Sequence, residues 1–237
     1  VAHLVAEGMP PGRILLLTFT RRAAEEMLRR VDGLLRSAAS AGDLHASLSG
    51  ARVWGGTFHA VATRLLRIHG ESIGLPPGFT ILDRSDSEDL MHAARTSLDL
   101  GSKGKRFPQK ATCLDIYSRC VNAAEPLGHV LETRYPWCKD DAEDLKSLFA
   151  AYVDRKEASH VLDYDDLLLF WRGMLADPAL GEVVRGHFDA VLVDEYQDTN
   201  ALQADIVALL RPDGTGITVV GDDAQAIYGF RAATVRN

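Results

Sequence analysis

The apolar positions of this chain fall into two patterns. Short unbroken aliphatic runs bounded by turn residues suit strands buried on both faces of a parallel sheet. Longer stretches with apolar residues three and four apart suit helices. The first run, residues 14–18 (ILLLT), follows the turn at Pro10, Pro11 and Gly12. Thr20 then offers an N-cap for a helix through Arg36, whose apolar side is Ala24, Met27, Leu28, Val31, Leu34 and Leu35. Residues 37–50, rich in Ser, Ala and Gly, read as a surface loop. A short strand at 53–55 leads through Gly56-Thr57-Phe58-His59 into a helix with Val61, Leu65 and Ile68 on one face.

After a further short strand at 79–82 the pattern changes. Ser85 and Glu88 have capping-box spacing before a helix carrying Leu90, Met91, Ala94 and Leu98. A basic loop at 101–108, a helix at 114–124 that stops at Pro126, and a helix carrying Leu145, Leu148, Phe149, Tyr152 and Val153 follow. Strand-helix alternation then returns. Asp163-Tyr164-Asp165-Asp166 precedes a helix with Leu167, Phe170, Trp171 and Met174. Beyond it lie a strand from Val191, a helix with Leu202, Ile206, Leu209 and Leu210, and a strand at 217–220. The expected architecture is α/β, a parallel sheet with flanking helices interrupted by an all-helical insertion. The boundaries expected are 1–83 and 161–237 for the sheet domain and 84–160 for the insertion.

The strand at Val191 changes the picture most, because it runs directly into Asp194 and Glu195 and then Tyr196, Gln197, Asp198 and Thr199. Acids at the carboxyl end of a parallel strand lie in the crevice where open α/β sheets bind ligands. Two adjacent carboxylates there can divide nucleotide hydrolysis, one holding Mg²⁺ and the other accepting a proton from water. The bland alternative is a solvated acidic turn. It weakens when the last strand also ends in polar groups, Gly221-Asp222-Asp223-Ala224-Gln225.

Composition is that of a globular domain, 46% hydrophobic and 25% charged. No apolar run is long enough for a membrane helix, and the start has neither a secretory pattern nor an initiator Met. No membrane partner, a cytoplasmic location and an origin within a larger protein are expected. Cys113, Cys120 and Cys138 form no metal-type pair, so they read as reduced, buried or idle thiols.

Net charge is −7, which disfavours bulk polyanion binding, but the charge is unevenly placed. Residues 13–70 hold nine arginines against four acids, whereas 140–205 hold sixteen acids against five Lys or Arg. Arg21 and Arg22 open a helix, where the macrodipole disfavours cations. Exposed N–H groups with two guanidiniums make an anion site there, which phosphate contact explains.

In order along the chain, LTFTRRAAEEM, GTFHAVA, LDYDDLL, VLVDEYQDTN and VVGDDAQAIYGFRAA resemble motifs of the UvrD/Rep/PcrA family of superfamily 1 DNA helicases. The likeness covers nearly the whole chain. It implies a RecA-like first motor domain of the P-loop NTPase type, and ATP-driven movement 3′ to 5′ on single-stranded DNA. Carried over, Asp194 would hold Mg²⁺, Glu195 would polarise the attacking water and Gln225 would sense the γ-phosphate. Gln197 and Arg231 would couple the ATP site to DNA. Tyr228 and Phe230 would stack on bases. Thr18, Phe19, Arg21, Arg22, Thr57 and His59 would line the DNA path.

Two departures accompany the resemblance. Val1-Ala2-His3-Leu4-Val5 looks like the helix that follows the family's GxGKT, and no such P-loop occurs in the chain. The one Gly-Lys pair, Gly104-Lys105, fails the pattern at Asp99 and Arg106. The sequence also stops soon after the last motif, so the second motor domain is an expected partner and this stretch alone is expected to be inactive. A competing reading is a non-catalytic single-strand-binding or interaction module descended from such a helicase.

Overall fold

The computed structural model describes residues 1–40, 53–101, 106–222 and 224. These divide into two compact units, the described residues of Val1–Ile68 with Phe170–Asn237, and His69–Leu169.

The first unit is built on a four-stranded sheet of β1 (Ile14–Thr18), β2 (Trp54–Thr57), β5 (Ala190–Val193) and β6 (Ile217–Val219). Its order is β2-β1-β5-β6 and every pairing is parallel. All five residues of β1 are buried, which is why its sequence is unbroken aliphatic rather than alternating. Ile14 and Leu16 pack with Val5 of α1 (Ala2–Ala6), with Val31 and Leu35 of α2 (Arg21–Ser40), and with Val53 and Ala190. By strand alternation the fully buried Leu15 and Leu17 face the opposite side. Helices α3 (Phe58–His69), α9 (Pro178–Arg185) and α10 (Ala201–Leu210) complete the unit's described helices, with the second half of α8 (Tyr164–Ala176).

The second unit is helical at its core. Met91 and Ala94 of α4 (Arg84–Ser97), Leu114, Ile116 and Tyr117 of α5 (Lys110–Ala123), Val130 and Leu131 of α6 (Leu127–Arg134), and Leu145, Leu148 and Tyr152 of α7 (Ala142–Ser159) form one cluster. Two very short strands, β3 (Thr80–Ile81) and β4 (Val161–Leu162), pair only with each other, in parallel. This pairing ties the residues on either side to the helices, so the compact unit is longer than the 84–160 window read from sequence.

Local chemistry corrects several boundaries. The cap of α4 is Asp83, which accepts the Asp86 N–H at 2.9 Å, so Ser85 lies inside the helix and Glu88 instead holds Arg84. Helix α2 continues to Ser40, into the stretch expected as loop. Helices α6 and α9, both short, begin at or just after a proline and gave no separate periodic signal.

A buried ion cluster lies at the start of α8. Lys156 Nζ sits 2.7 Å from Oδ2 of Asp163 and 2.7 Å from both carboxylate oxygens of Asp166. Tyr152 donates its hydroxyl to Asp163 at 2.9 Å. The two aspartates cap each other's backbone N–H groups at 2.9 Å. Burial pushes Cys113 up to about 12 and Cys120 up to about 11, so both are protonated thiols at neutral pH. Among the described residues no helix is long and apolar enough to cross a membrane.

Candidate active site at the carboxyl edge of the sheet

Because the four strands are parallel, their carboxyl ends share one edge. The chain leaves β1 towards β2 but leaves β5 towards β6, so the order reverses between β1 and β5. A crevice opens at such a reversal, and it is where ligands bind open α/β sheets. Thr18 ends β1 beside Thr57, its register partner on β2. Asp194 follows Val193, the register partner of Leu17, and donates its N–H to the Leu17 carbonyl at 2.9 Å. The sheet therefore brings Thr18, Thr57, Asp194 and Glu195 to one edge.

Glu195 turns the chain out of the strand with φ 55° and ψ 41°. The other non-glycine residues with positive φ among those described, Asp99, Ala124 and His160, each follow a helix end, where this conformation is routine. Glu195 alone adopts it directly after a strand, at a cost of about 1–2 kcal/mol. The turn continues through Tyr196–Asp198 into α10, capped by a box in which Asn200 accepts the Gln203 N–H and Gln203 accepts the Asn200 N–H. Sequence reasoning missed this box, although Asn-x-x-Gln after a strand is a readable signal.

Gln197 is buried and spans two parts of the site. Its Nε2 donates to Oε2 of Glu195 at 2.5 Å and its Oε1 accepts the Asp222 N–H at 2.9 Å. The exits of β5 and β6 are joined as well by the Tyr196 N–H to the Val220 carbonyl at 2.9 Å. Asp198 is buried and, among the described residues, nothing hydrogen-bonds its Oδ1; burial, with the Glu195 charge adding to it, pushes its pKa up. The hydroxyl of Thr18, fully buried, likewise has no hydrogen-bond partner among the described residues.

On the β1–β2 side, Phe19 and His59 are half-buried and Arg21 and Arg22 are exposed in the first turn of α2. Thr20 caps that helix by accepting the Ala23 N–H at 3.1 Å, as its sequence position implied. Thr57 uses its hydroxyl to accept the Ala60 N–H at 3.3 Å at the start of α3. Among the described residues, those expected to meet DNA therefore occupy the β1–β2 half of the edge, and those expected to meet nucleotide the β5–β6 half. Gln225, Tyr228, Phe230 and Arg231 lie outside the described residues.

The acids at this edge have the chemistry for a hard divalent cation. Among the described residues no group of three or more His, Cys, Asp or Glu could hold a metal. A single hard carboxylate, Asp194, completed by phosphate oxygens and water is the arrangement Mg²⁺ favours at phosphoryl-transfer sites.

Comparison with known proteins agrees with this geometry. A profile of the UvrD/REP helicase N-terminal domain matches residues 1–237. The ATP-dependent DNA helicase PcrA of Leuconostoc citreum is 36% identical over 242 residues, covering 100% of this chain and 30% of its own length. DNA helicase II of Haemophilus influenzae is 32% identical, covering 100% of this chain and 31% of its own. UvrD1 of Mycobacterium bovis, also named an ATP-dependent DNA helicase, is 35% identical with coverage of 100% and 30%. The chain thus spans about a third of the length of these relatives. With a family match over its whole length and a parallel α/β sheet carrying the paired acids at its switch point, the chain belongs to the UvrD/REP helicase N-terminal domain family.

Proposed function

We propose that this chain is the first motor domain of an ATP-dependent DNA helicase that moves 3′ to 5′ along single-stranded DNA, working in the cytoplasm. The observation that carries the reading is the juxtaposition of Asp194 and Glu195 at the sheet's switch point, with Gln197 bridging Glu195 to the exit of β6. In this reading Asp194 holds Mg²⁺, which when bound neutralises charge on the nucleotide phosphates. Glu195 accepts the proton of the attacking water, and its carboxylate is held ready by the Gln197 amide. Gln225 meets the γ-phosphate, and Arg231 joins Gln197 in passing the state of that site to the DNA. Thr18, Phe19, Thr57 and His59 line the strand's path, and Tyr228 and Phe230 stack on bases. The helical residues 84–160 are an insertion in the motor domain, and a second motor domain supplies the rest of the ATP site.

Arg21 and Arg22 test the DNA half of the reading. Two exposed guanidiniums at the positive end of a 20-residue helix are placed for phosphates. In the full-length protein, R21A/R22A is expected to weaken binding of all single-stranded sequences and to lower the salt slope by about 1–2. Anisotropy titrations of a labelled oligonucleotide across salt, read beside DNA-stimulated ATP hydrolysis and strand displacement, check this. An unchanged slope removes these arginines from the path. DNA binding without any DNA-stimulated ATP hydrolysis would favour the non-catalytic module instead.

A further inference from the structure

We infer that Gly221 and Gln197 form a positioning device: the absent side chain at Gly221 lets the Gln197 amide hold the Glu195 carboxylate in register with the exit of β6. The inference rests on the reading of Glu195 as the base for ATP hydrolysis, and extends it to two further residues that act on that carboxylate.

A Cβ added at Gly221 would lie 2.7 Å from Oε1 of Gln197 and 3.1 Å from its backbone nitrogen. The first distance is well inside van der Waals contact. A methyl there must displace the Gln197 side chain, whose Oε1 holds the Asp222 N–H at 2.9 Å and whose Nε2 holds Glu195 at 2.5 Å. The two bonds use opposite ends of one planar amide. Glu195 is thereby oriented from a backbone atom of the segment after β6, across a side chain buried to 7% exposure. Glu195 is also held in a left-handed backbone conformation, and among the described residues the Gln197 amide is the hydrogen-bond donor to its carboxylate.

The consequence is mechanical. Any shift of the β6 exit moves the Asp222 N–H, turns the amide and moves the Glu195 oxygens with it. A displacement of about 1 Å of a catalytic group can cost up to 10²-fold in rate without altering substrate binding. Gln197 and Gly221 are thus positioning residues, whose loss lowers kcat and spares ATP affinity.

A double-mutant cycle on DNA-stimulated ATP hydrolysis by the full-length protein tests this. Q197A and G221A are each expected to lower kcat about 10–100-fold with ATP affinity unchanged. G221A is expected to add little in the Q197A background, because the closest contact of the methyl is with the amide it displaces and only the milder 3.1 Å crowding of the Gln197 backbone nitrogen remains. Q197E, which keeps the shape and the acceptor but puts a like charge against Glu195 in place of the donor, is expected to lower kcat at least as far as Q197A and stands in for it should Q197A fail to fold. Losses that multiply in the double variant would show that Gly221 serves packing independently of Gln197, and would overturn the inference. So would a kcat within twofold of the parent in folded Q197A or Q197E. Glu195→Gln measured alongside separates the two levels. If it retains turnover, the base assignment itself falls. If it abolishes turnover while Q197A and Q197E do not lower it, only the positioning device falls.

Discussion

Replacing Glu195 with Gln in the full-length protein is expected to lower ATP turnover by at least about 10²–10⁴-fold, the range of a lost general base, with ATP binding largely retained. The amide keeps the shape of the carboxylate and can still accept the Gln197 Nε2–H, which lies 2.5 Å from Oε2. It cannot take a proton from water. The backbone conformation, φ 55°, is no harder for Gln than for Glu, so the fold is expected to stay intact. Single-turnover hydrolysis and nucleotide titration on the same preparation decide the matter. A loss of affinity as large as the loss in rate would assign Glu195 to phosphate or metal binding rather than proton transfer.

A second large effect is expected in the helical unit, on stability rather than activity. Lys156 is 2% exposed and lies between the carboxylates of Asp163 and Asp166. Lys156→Met removes the only cation in this cluster and leaves two buried carboxylates facing each other. Breaking a buried ion pair from one side costs about 3–5 kcal/mol, far more than deleting the whole set. K156M is therefore expected to lower the unfolding midpoint strongly, and K156M/D163N/D166N to recover a substantial part of the loss. A K156M variant within about 1 kcal/mol of the parent in urea or thermal unfolding would show that the cluster contributes little.

The same cluster makes stability depend on pH. Burial and the neighbouring Asp163 charge push Asp166 from 3.8 up to about 6. The folded state therefore holds a proton that the unfolded state releases, so stability rises as pH falls from about 6 towards 4 and is lost as pH rises through 6. Lys156 is shifted up by the two carboxylates, so its contribution is fully present below its ordinary value of 10.5 and does not change across this window. The buried Asp165 carboxyl is pushed up to about 6 in the same way, so the unfolding midpoint is expected to rise on acidification from pH 7 to 5, D166N to reduce that rise and D165N/D166N to flatten it. A midpoint that falls over this range would show that the cluster does not gain a proton on folding.

Much of the site was legible before any coordinates. The runs at 14–18 and from Val191 contain no polar residue before their ends, and only strands covered on both faces tolerate that. The acids Asp194 and Glu195 follow such a run directly, so their place at a sheet edge follows from strand geometry alone. Thr20 as a helix cap and Arg21 and Arg22 in the first turn were equally readable, because caps and first turns are local. The cap of α4 was misread because Asp83 and Ser85 are both good cap residues two positions apart, and sequence spacing does not rank them.

Sequence by itself determined the repeating strand-helix pattern, the helical middle and the chemistry available at the strand ends, since each depends on neighbours within a few residues. Tertiary structure decided what those residues face. The order β2-β1-β5-β6 places the reversal between β1 and β5 and so puts Thr18 beside the strand that delivers Asp194. Strand β3 falls within the short run expected at 79–82, but β4 is two residues long and far along the chain, so only its pairing with β3 makes it visible. Lys156 reads as a solvated helix charge until the turn after α7 brings Asp163 and Asp166 against it. The need for glycine at position 221 arises from Gln197, a side chain from a different strand exit. In each case the deciding interaction joins parts of the chain whose separation no local pattern records, and only packing sets the distance between them.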